Sequence, residues 1–283
     1  MQLESKDIDF GEGNIRLYRA GEAGPPVVLL HGGGLDAALI SWRHTIPALV
    51  KDYSVFAFDW PKQGHSHGWT RVMDTKALVD ILGNVLDHLG LKRVTLIGLS
   101  MGSAAAIGYT LERPERVESL VLTSAGGLQK KVPYHFLAWL MLKFPGARKA
   151  GMGGTKEKLR RRLEKGLFKS EVSDIEQVTE DVWQEMQRRD SAFSDFQIAE
   201  LGLASVKVNF MPRLHEITQP TLIIHGKEDS VVPIQIAQEA ASRLPNAEIC
   251  EMENTGHWPN RETPEMFNSK LLSFLGHNRK ANV

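Results

Sequence analysis

Six short apolar runs constrain this chain more than any other feature of its sequence: PVVLLHG (26–32), YSVFAFD (53–59), RVTLIGLS (93–100), ESLVLTS (118–124), PTLIIHG (220–226) and AEICEME (247–253). Each has the length of a β-strand, and most are rich in the β-branched and aromatic residues that pack on a pleated surface. Several lack the alternation of a sheet with one wet face, and such strands need cover on both sides. Helical patterns at 74–89, 102–112 and 233–244 separate the runs. This rhythm predicts an α/β fold with a doubly wound, mostly parallel sheet. The opening IDFGEGNIRLYRAG departs from it and predicts an antiparallel hairpin at the sheet edge, reversed at Gly11-Glu12-Gly13.

Between Ser124 and Thr221 the strand rhythm stops. Helical patterns at 133–144, 155–168, 173–188 and 191–203 take over, with Thr155 and Ser173 placed to cap two of them. The segment follows the carboxyl end of a strand, where open α/β sheets bind ligands, so it is expected to form a lid. The domain reading is a core of residues 1–127 and 213–283 with an inserted helical cap of residues 128–212. The cap's most apolar stretch, Tyr134–Phe144, is too short to span a bilayer. It is expected to wall the substrate pocket, with an interfacial helix as the alternative. Phe136 and Trp139 are its candidate substrate-binding residues, joined by Leu140, Phe193 and Phe196, although aromatics at helical spacing also build plain core. The cap is basic from Lys130 to Lys169, notably at Arg160-Arg161-Arg162, then acid-rich from Glu171 to Glu200, a pattern expected to pair helix with helix.

The run VTLIGLSMGS drives a strand into Gly98-Leu99-Ser100-Met101-Gly102 and on into the helical SAAAIGYTLE. A nucleophile at the tip of such a turn needs strained backbone angles, and the close approach of helix to strand admits only tiny residues two before and two after it. Ser100 is therefore the candidate nucleophile, and the Met101 amide points to where an oxyanion would form. The segment VVLLHGGGLD places His-Gly-Gly-Gly after an earlier strand, and Gly33 is the candidate second oxyanion donor. Gly32 and Gly34 are assigned to the substrate pocket beside it. His31, at the strand end, is expected to be a structural hydrogen-bonder.

A serine needs a base, and the base needs an orienting carboxylate. Asp229 in LIIHGKEDSVVP and His257 in NTGHWPNRETPEMF supply them, in the chain order Ser, Asp, His. Glu228 is the competing acid, but the shorter Asp229 fits a tight turn better.

Composition bounds the rest. Lys plus Arg equals Asp plus Glu at 34 each, so the whole-chain charge offers no steering toward nucleic acid or an anionic membrane. The single Cys250 excludes an internal disulfide and offers no metal cluster. The N-terminal MQLESKDIDF carries acids and no apolar secretory segment, so a cytoplasmic location is expected, without stable membrane insertion. The oligomeric state has no signal in the sequence.

Through HGGG, FDWPKQGHS, GLSMG, GKEDSVVP and TGHWPNRETPEMFN, nearly the whole chain resembles the α/β-hydrolase superfamily. Lys62 stands where that family usually has a glycine. The nearest resemblance within it is to meta-cleavage-product C–C hydrolases and to carboxylesterases. HGGG, LSMG, GHW with Trp258, and the cap segment WQEMQRRDSAFSDF carry the former, with Arg188 falling where those enzymes place a cap arginine. Leu99 and Leu35-Asp36 depart from that pattern. The resemblance implies a serine hydrolase without cofactor, acting through an acyl-enzyme on a small-molecule acyl substrate. Ester hydrolysis is the reading taken, with C–C hydrolysis as the first alternative and a ligand-sensing protein of the same fold as the second. Trp258 and Arg188 are its implied substrate contacts.

Overall fold

A computed structural model of the chain describes residues 2–146, 148, 154–189 and 193–281. Eight strands form one sheet in the order β1-β2-β4-β3-β5-β6-β7-β8. β1 (Glu4–Asp9) and β2 (Asn14–Ala20) are the expected antiparallel hairpin, and β2 also runs antiparallel to β4 (Ser54–Phe58). Every other neighbouring pair, among β3 (Pro26–Leu30), β4, β5 (Val94–Leu99), β6 (Val117–Thr123), β7 (Thr221–Gly226) and β8 (Ala247–Met252), is parallel.

The doubly apolar strands are explained by two cores. Val28, Leu30, Leu96, Leu120 and Ile223 point to one face, while Val27, Leu29, Ile97, Val121 and Leu222 point to the other. The helices Thr75–His88 and Met101–Glu112 cover the first face, with Leu78, Leu82 and Ile107 in its core. The helix Pro264–Ala281 covers the second through Phe267, Leu271 and Phe274. Each such buried side chain contributes about 1.5–3 kcal/mol. β8 sits at the edge and exposes Glu248 and Glu251, charges that discourage strand addition.

From β3 the chain turns one way to β4, then crosses back to lay β5 on the other side of β3. The carboxyl ends of β3 and β5 therefore flank a crevice at the point where strand order reverses, the place where such sheets bind ligands.

Between β6 and β7 the described residues are mainly helical: His135–Lys143, Lys156–Arg162 with a π-helical turn Leu163–Leu167, Ile175–Arg188 and Asp195–Glu200. Thr155 caps as expected, accepting the Lys158 amide at 3.3 Å. Ser173 does not. That helix starts at Ile175 after Asp174, whose carboxylate is drawn instead to His44 at 2.9 Å and Arg261 at 2.8 Å. The last cap helix is shorter than its pattern and begins with a capping box between Ser194 and Gln197. Among the described residues, no helix is long and apolar enough to cross a membrane.

Candidate active site

Ser100 follows β5 with φ 51° and ψ −110°, backbone angles that L residues rarely adopt. The turn is held from both sides: the Ser100 amide donates to the Thr123 carbonyl at 2.9 Å, and the Ser100 carbonyl accepts from Ala104 at 3.2 Å and Gly126 at 3.0 Å. The two glycines have the steric reason expected of them. A Cβ on Gly98 would stand 2.5 Å from the Ser103 nitrogen, and one on Gly102 would stand 2.1 Å from the Leu30 carbonyl oxygen.

β3 lies beside β5, so the HGGG loop meets this turn. The Gly32 amide is taken by the Asp36 carboxylate at 2.7 Å, which also accepts from Ala37 at 2.8 Å and Ser41 at 2.6 Å. Burial pushes the Asp36 carboxyl up to about 7, against these three donors that favour its charge. With Gly32 so anchored, the amides of Gly33 and Met101 have no hydrogen-bond acceptor among the described residues. His31 is a structural hydrogen-bonder: its Nδ1 donates to the Gly32 carbonyl at 2.8 Å and its Nε2 accepts from the Trp60 amide at 3.0 Å. Burial drives its pKa down to about 3, so it stays neutral.

Asp229 and His257 follow β7 and β8 and meet each other. His257 Nδ1 donates to Asp229 Oδ2 at 2.8 Å, which leaves Nε2 as the proton-accepting atom. Asp229 Oδ1 accepts the Val231 and Val232 amides at 2.8 and 2.9 Å. Burial alone would raise the Asp229 carboxyl, but His257, His225 and the Val232 amide outweigh it and hold the pKa below the ordinary value. Glu228 turns away and accepts the Thr255 amide at 3.0 Å. Cys250 is half-buried, and burial pushes its thiol up, away from a reactive thiolate.

One cavity of about 420 Å³ is lined by Gly32, Gly33, Gly34, Ser100, Met101, His257 and Trp258 together. Leu159, Leu163, Val182, Met186, Phe193 and Phe196 from the cap complete an apolar wall. Three expected contacts lie elsewhere. Arg188 lines a neighbouring cavity, has its side chain 42% exposed, and pairs with Glu185 at 3.4 Å. Phe136 and Trp139 stack on each other at 6.1 Å, outside the cavity, and Phe136 is 62% exposed. The reason is helix phase: the helix His135–Lys143 buries Leu142, leaves Trp139 half-buried and turns Phe136 outward.

Several residues that sequence reasoning passed over hold this site. Arg162, at the end of the basic triplet, lines the cavity where Arg188 does not. His225, one residue before the Gly226 that ends β7, places Nε2 3.3 Å from Asp229 Oδ2 and donates to the Val232 carbonyl at 2.8 Å. Glu262 joins histidine loop to cap: one oxygen accepts the Gly256 amide at 2.7 Å and the other takes the amides of Lys169 and Ser170. Only the His-Gly ending of β7 gave a local sign. A buried glutamate reads in sequence like any surface charge. Lys62 takes the left-handed conformation, φ 64°, that a glycine adopts without cost, and reaches Asp195 of the cap at 2.6 Å.

Among the described residues, no group of three or more His, Cys, Asp or Glu side chains comes together as a metal site. The arrangement suits acyl chemistry: a half-buried hydroxyl on a strained turn, an oriented imidazole, and two free amides at one end of a cavity.

Comparison with known proteins gives the family. The chain is 31% identical over 269 residues to the 2-hydroxy-6-oxononadienedioate/2-hydroxy-6-oxononatrienedioate hydrolase of Comamonas testosteroni, covering 93% of this chain and 91% of that protein. The meta-cleavage product hydrolase of Pseudomonas fluorescens IP01 superposes with a TM-score of 0.78 at 25% identity, covering 96% of this chain and 97% of that one. The carboxylesterase CesB of Bacillus subtilis shares the fold, with a TM-score of 0.75 at 23% identity over 97% and 92% of the two chains. Residues 25–264 match the family model described as alpha/beta hydrolase fold, and the chain belongs to that family.

Proposed function

We propose that the chain is a cofactor-independent hydrolase in which Ser100 attacks a carbonyl carbon, and that the bond it cuts is the C–C bond of a dienoate ring-fission product. The observation that carries the chemistry is the His257–Asp229 hydrogen bond of 2.8 Å in the cavity that Ser100, Gly33 and Met101 also line. The choice of bond is supported by the named activity of curated relatives about 30% identical over nearly the whole chain.

The steps follow from the atoms. His257 Nε2 takes the Ser100 Oγ proton as the Oγ–C bond forms, and the carbonyl oxygen becomes an oxyanion held by the Gly33 and Met101 amides. Each such donor is worth about 10²–10³ in rate. When the tetrahedral centre collapses, the electron pair of the breaking bond moves into the leaving fragment, which takes the proton from the His257 imidazolium. An alkoxide accepts this readily; a carbon fragment does so only once the enol proton of the dienoate has shifted to the carbon next to the attacked carbonyl, so that the pair enters an enolate conjugated with the 2-oxo carboxylate. His257 then deprotonates water, which attacks the acyl-enzyme and restores Ser100. Arg162, a cation in the cavity wall among the apolar residues of the cap, is the residue suited to hold that carboxylate.

Ester hydrolysis is the second reading, favoured by the apolar cap wall and by the position of Arg188 outside the cavity. The purified chain should be assayed on a dienoate meta-cleavage product and on a series of p-nitrophenyl esters. A larger kcat/KM on the dienoate is expected. Turnover of esters with the dienoate left intact overturns C–C cleavage and keeps the serine hydrolase. Binding without turnover of either class moves the chain to the ligand-sensing reading.

A further inference from the structure

We propose that the cap carries a peripheral docking face for an anionic lipid bilayer, centred on the helix His135–Lys143. This helix and its flanks expose Tyr134 (86%), Leu137 (55%), Met141 and Phe144 (57%) as well as Phe136. Leu137, Met141 and Phe144 fall four and three residues apart and so form one stripe. Among the described residues nothing covers them. On its other side the helix buries Leu142 and packs on Asp195–Glu200, and His135 Nε2 donates to the Gly202 carbonyl at 2.9 Å.

Charge selects the occupant. From residue 119 to 156 the chain has no Asp or Glu, yet it carries Lys130, Lys131, Lys143, Arg148, Lys149 and Lys156. Lys130, Lys131 and Lys143 make no ion pair among the described residues. Further along the cap, Lys156 pairs with Glu180, Arg160 with Glu164 and Glu176, and Arg161 with Glu157. The basic rim is a local feature of a chain whose formal net charge is zero. Exposed aromatic and aliphatic side chains rimmed by lysine are the composition that settles at lipid headgroups, where anionic lipid attracts the lysines and the apolar stripe enters the acyl boundary. A second copy of the chain would bring an identical basic rim and be repelled. With nine residues the helix lies in the interface and cannot span it.

The face sits close to the chemistry. The helix packs on Asp195–Glu200, from which Phe196 and Gln197 line the catalytic cavity, so a substrate dissolved in the bilayer would meet the cap beside the site. The proposal does not depend on which bond the site cuts.

Co-sedimentation of the full chain tests it, using vesicles of phosphatidylcholine alone and of phosphatidylcholine mixed with phosphatidylglycerol in equal parts. Binding to the mixed vesicles, weakened by salt and nearly absent on phosphatidylcholine, is expected. Lys130→Gln with Lys131→Gln should weaken it by about tenfold or more, and Leu137→Ser with Phe144→Ser should abolish it, with circular dichroism unchanged in both. Equal binding to both vesicles, no binding to either at low salt, or binding untouched by both variants overturns the proposal. So does a dimer in solution that Leu137→Ser with Phe144→Ser converts to monomer.

Discussion

The loops at the carboxyl ends of β3, β5, β7 and β8 and the cap above them are held by different forces. The loops are fixed by backbone contact: Gly102 has no room for a methyl group against Leu30, and Asp229 is gripped by two amides and His257. The cap is held by apolar packing of Leu159, Leu163, Val178 and Val182 and, at its rim, by charge. Lys62 reaches Asp195, Glu185 takes the Gly64 amide at 3.0 Å, Glu200 takes Thr75 at 2.7 Å, and Glu262 clasps both sides. Bond-making needs atoms placed to a few tenths of an ångström, which close-packed backbone supplies. Choosing a substrate needs a surface that can differ between relatives, and paired charges over an apolar wall supply that. Damage to the loops should therefore remove rate on every substrate or remove the fold, while damage to the cap should change preference or pH dependence.

The largest effect is expected at His257. His257→Gln should lower kcat by about 10⁴ or more on every substrate without loss of structure, checked by steady-state kinetics and circular dichroism. Next comes Gly102→Ala. Its Cβ, 2.1 Å from a backbone oxygen that cannot rotate away, should cost about 3–5 kcal/mol in denaturant unfolding. A wild-type midpoint there would show that the elbow tolerates movement.

Glu185 tests the charge-held side. Burial pushes its carboxyl up to about 7 from an ordinary 4.5, against the opposing pull of the Gly64 amide, Arg189 and Arg188. Below pH 4.5 folded and unfolded chains both hold this proton. Between there and pH 7 only the folded chain keeps it, so stability falls as pH rises through that window. Asp36, also raised to about 7 by burial, adds a slope of the same sign. Urea unfolding across the window should show a shallower fall in Glu185→Gln, by up to about 3 kcal/mol. An unchanged slope would mean that the carboxylate is already ionised in the fold.

The smallest effect is the most selective. Arg162→Ala should lower kcat/KM on a carboxylate-bearing dienoate by about tenfold to a hundredfold, while a neutral ester changes far less. Arg188→Ala, outside the cavity, should alter both substrates little and equally. A selective loss in Arg188→Ala instead would put the substrate carboxylate in the neighbouring cavity.

The contrast between loops and cap also sets what was legible in the sequence. The strands were readable because burial on both faces leaves uninterrupted apolar runs, as in Val94–Leu99. Ser100 was readable because a strained turn between strand and helix imposes glycine at fixed offsets, and Asp229 and His257 because each follows its strand within a few residues. The cap resisted because helix phase decides everything there. Arg162 and Arg188 are both last-turn arginines of amphipathic helices, and only packing turned one of them toward the cavity. Phe136 and Trp139 have pocket-like chemistry but stack on each other outside the cavity. Glu185, Glu262 and Asp36 were invisible because a carboxylate that accepts buried amides has no sequence signature.

The central claim is that Ser100 is the nucleophile that the elbow presents to His257. Intact mass spectrometry after treatment with a fluorophosphonate, followed by peptide mapping, tests it most directly. The wild-type chain should gain one adduct, on Ser100, at a rate that falls sharply in His257→Gln, and Ser100→Ala with unchanged circular dichroism should gain none. An adduct on another serine, or equal labelling of Ser100→Ala, would contradict the account.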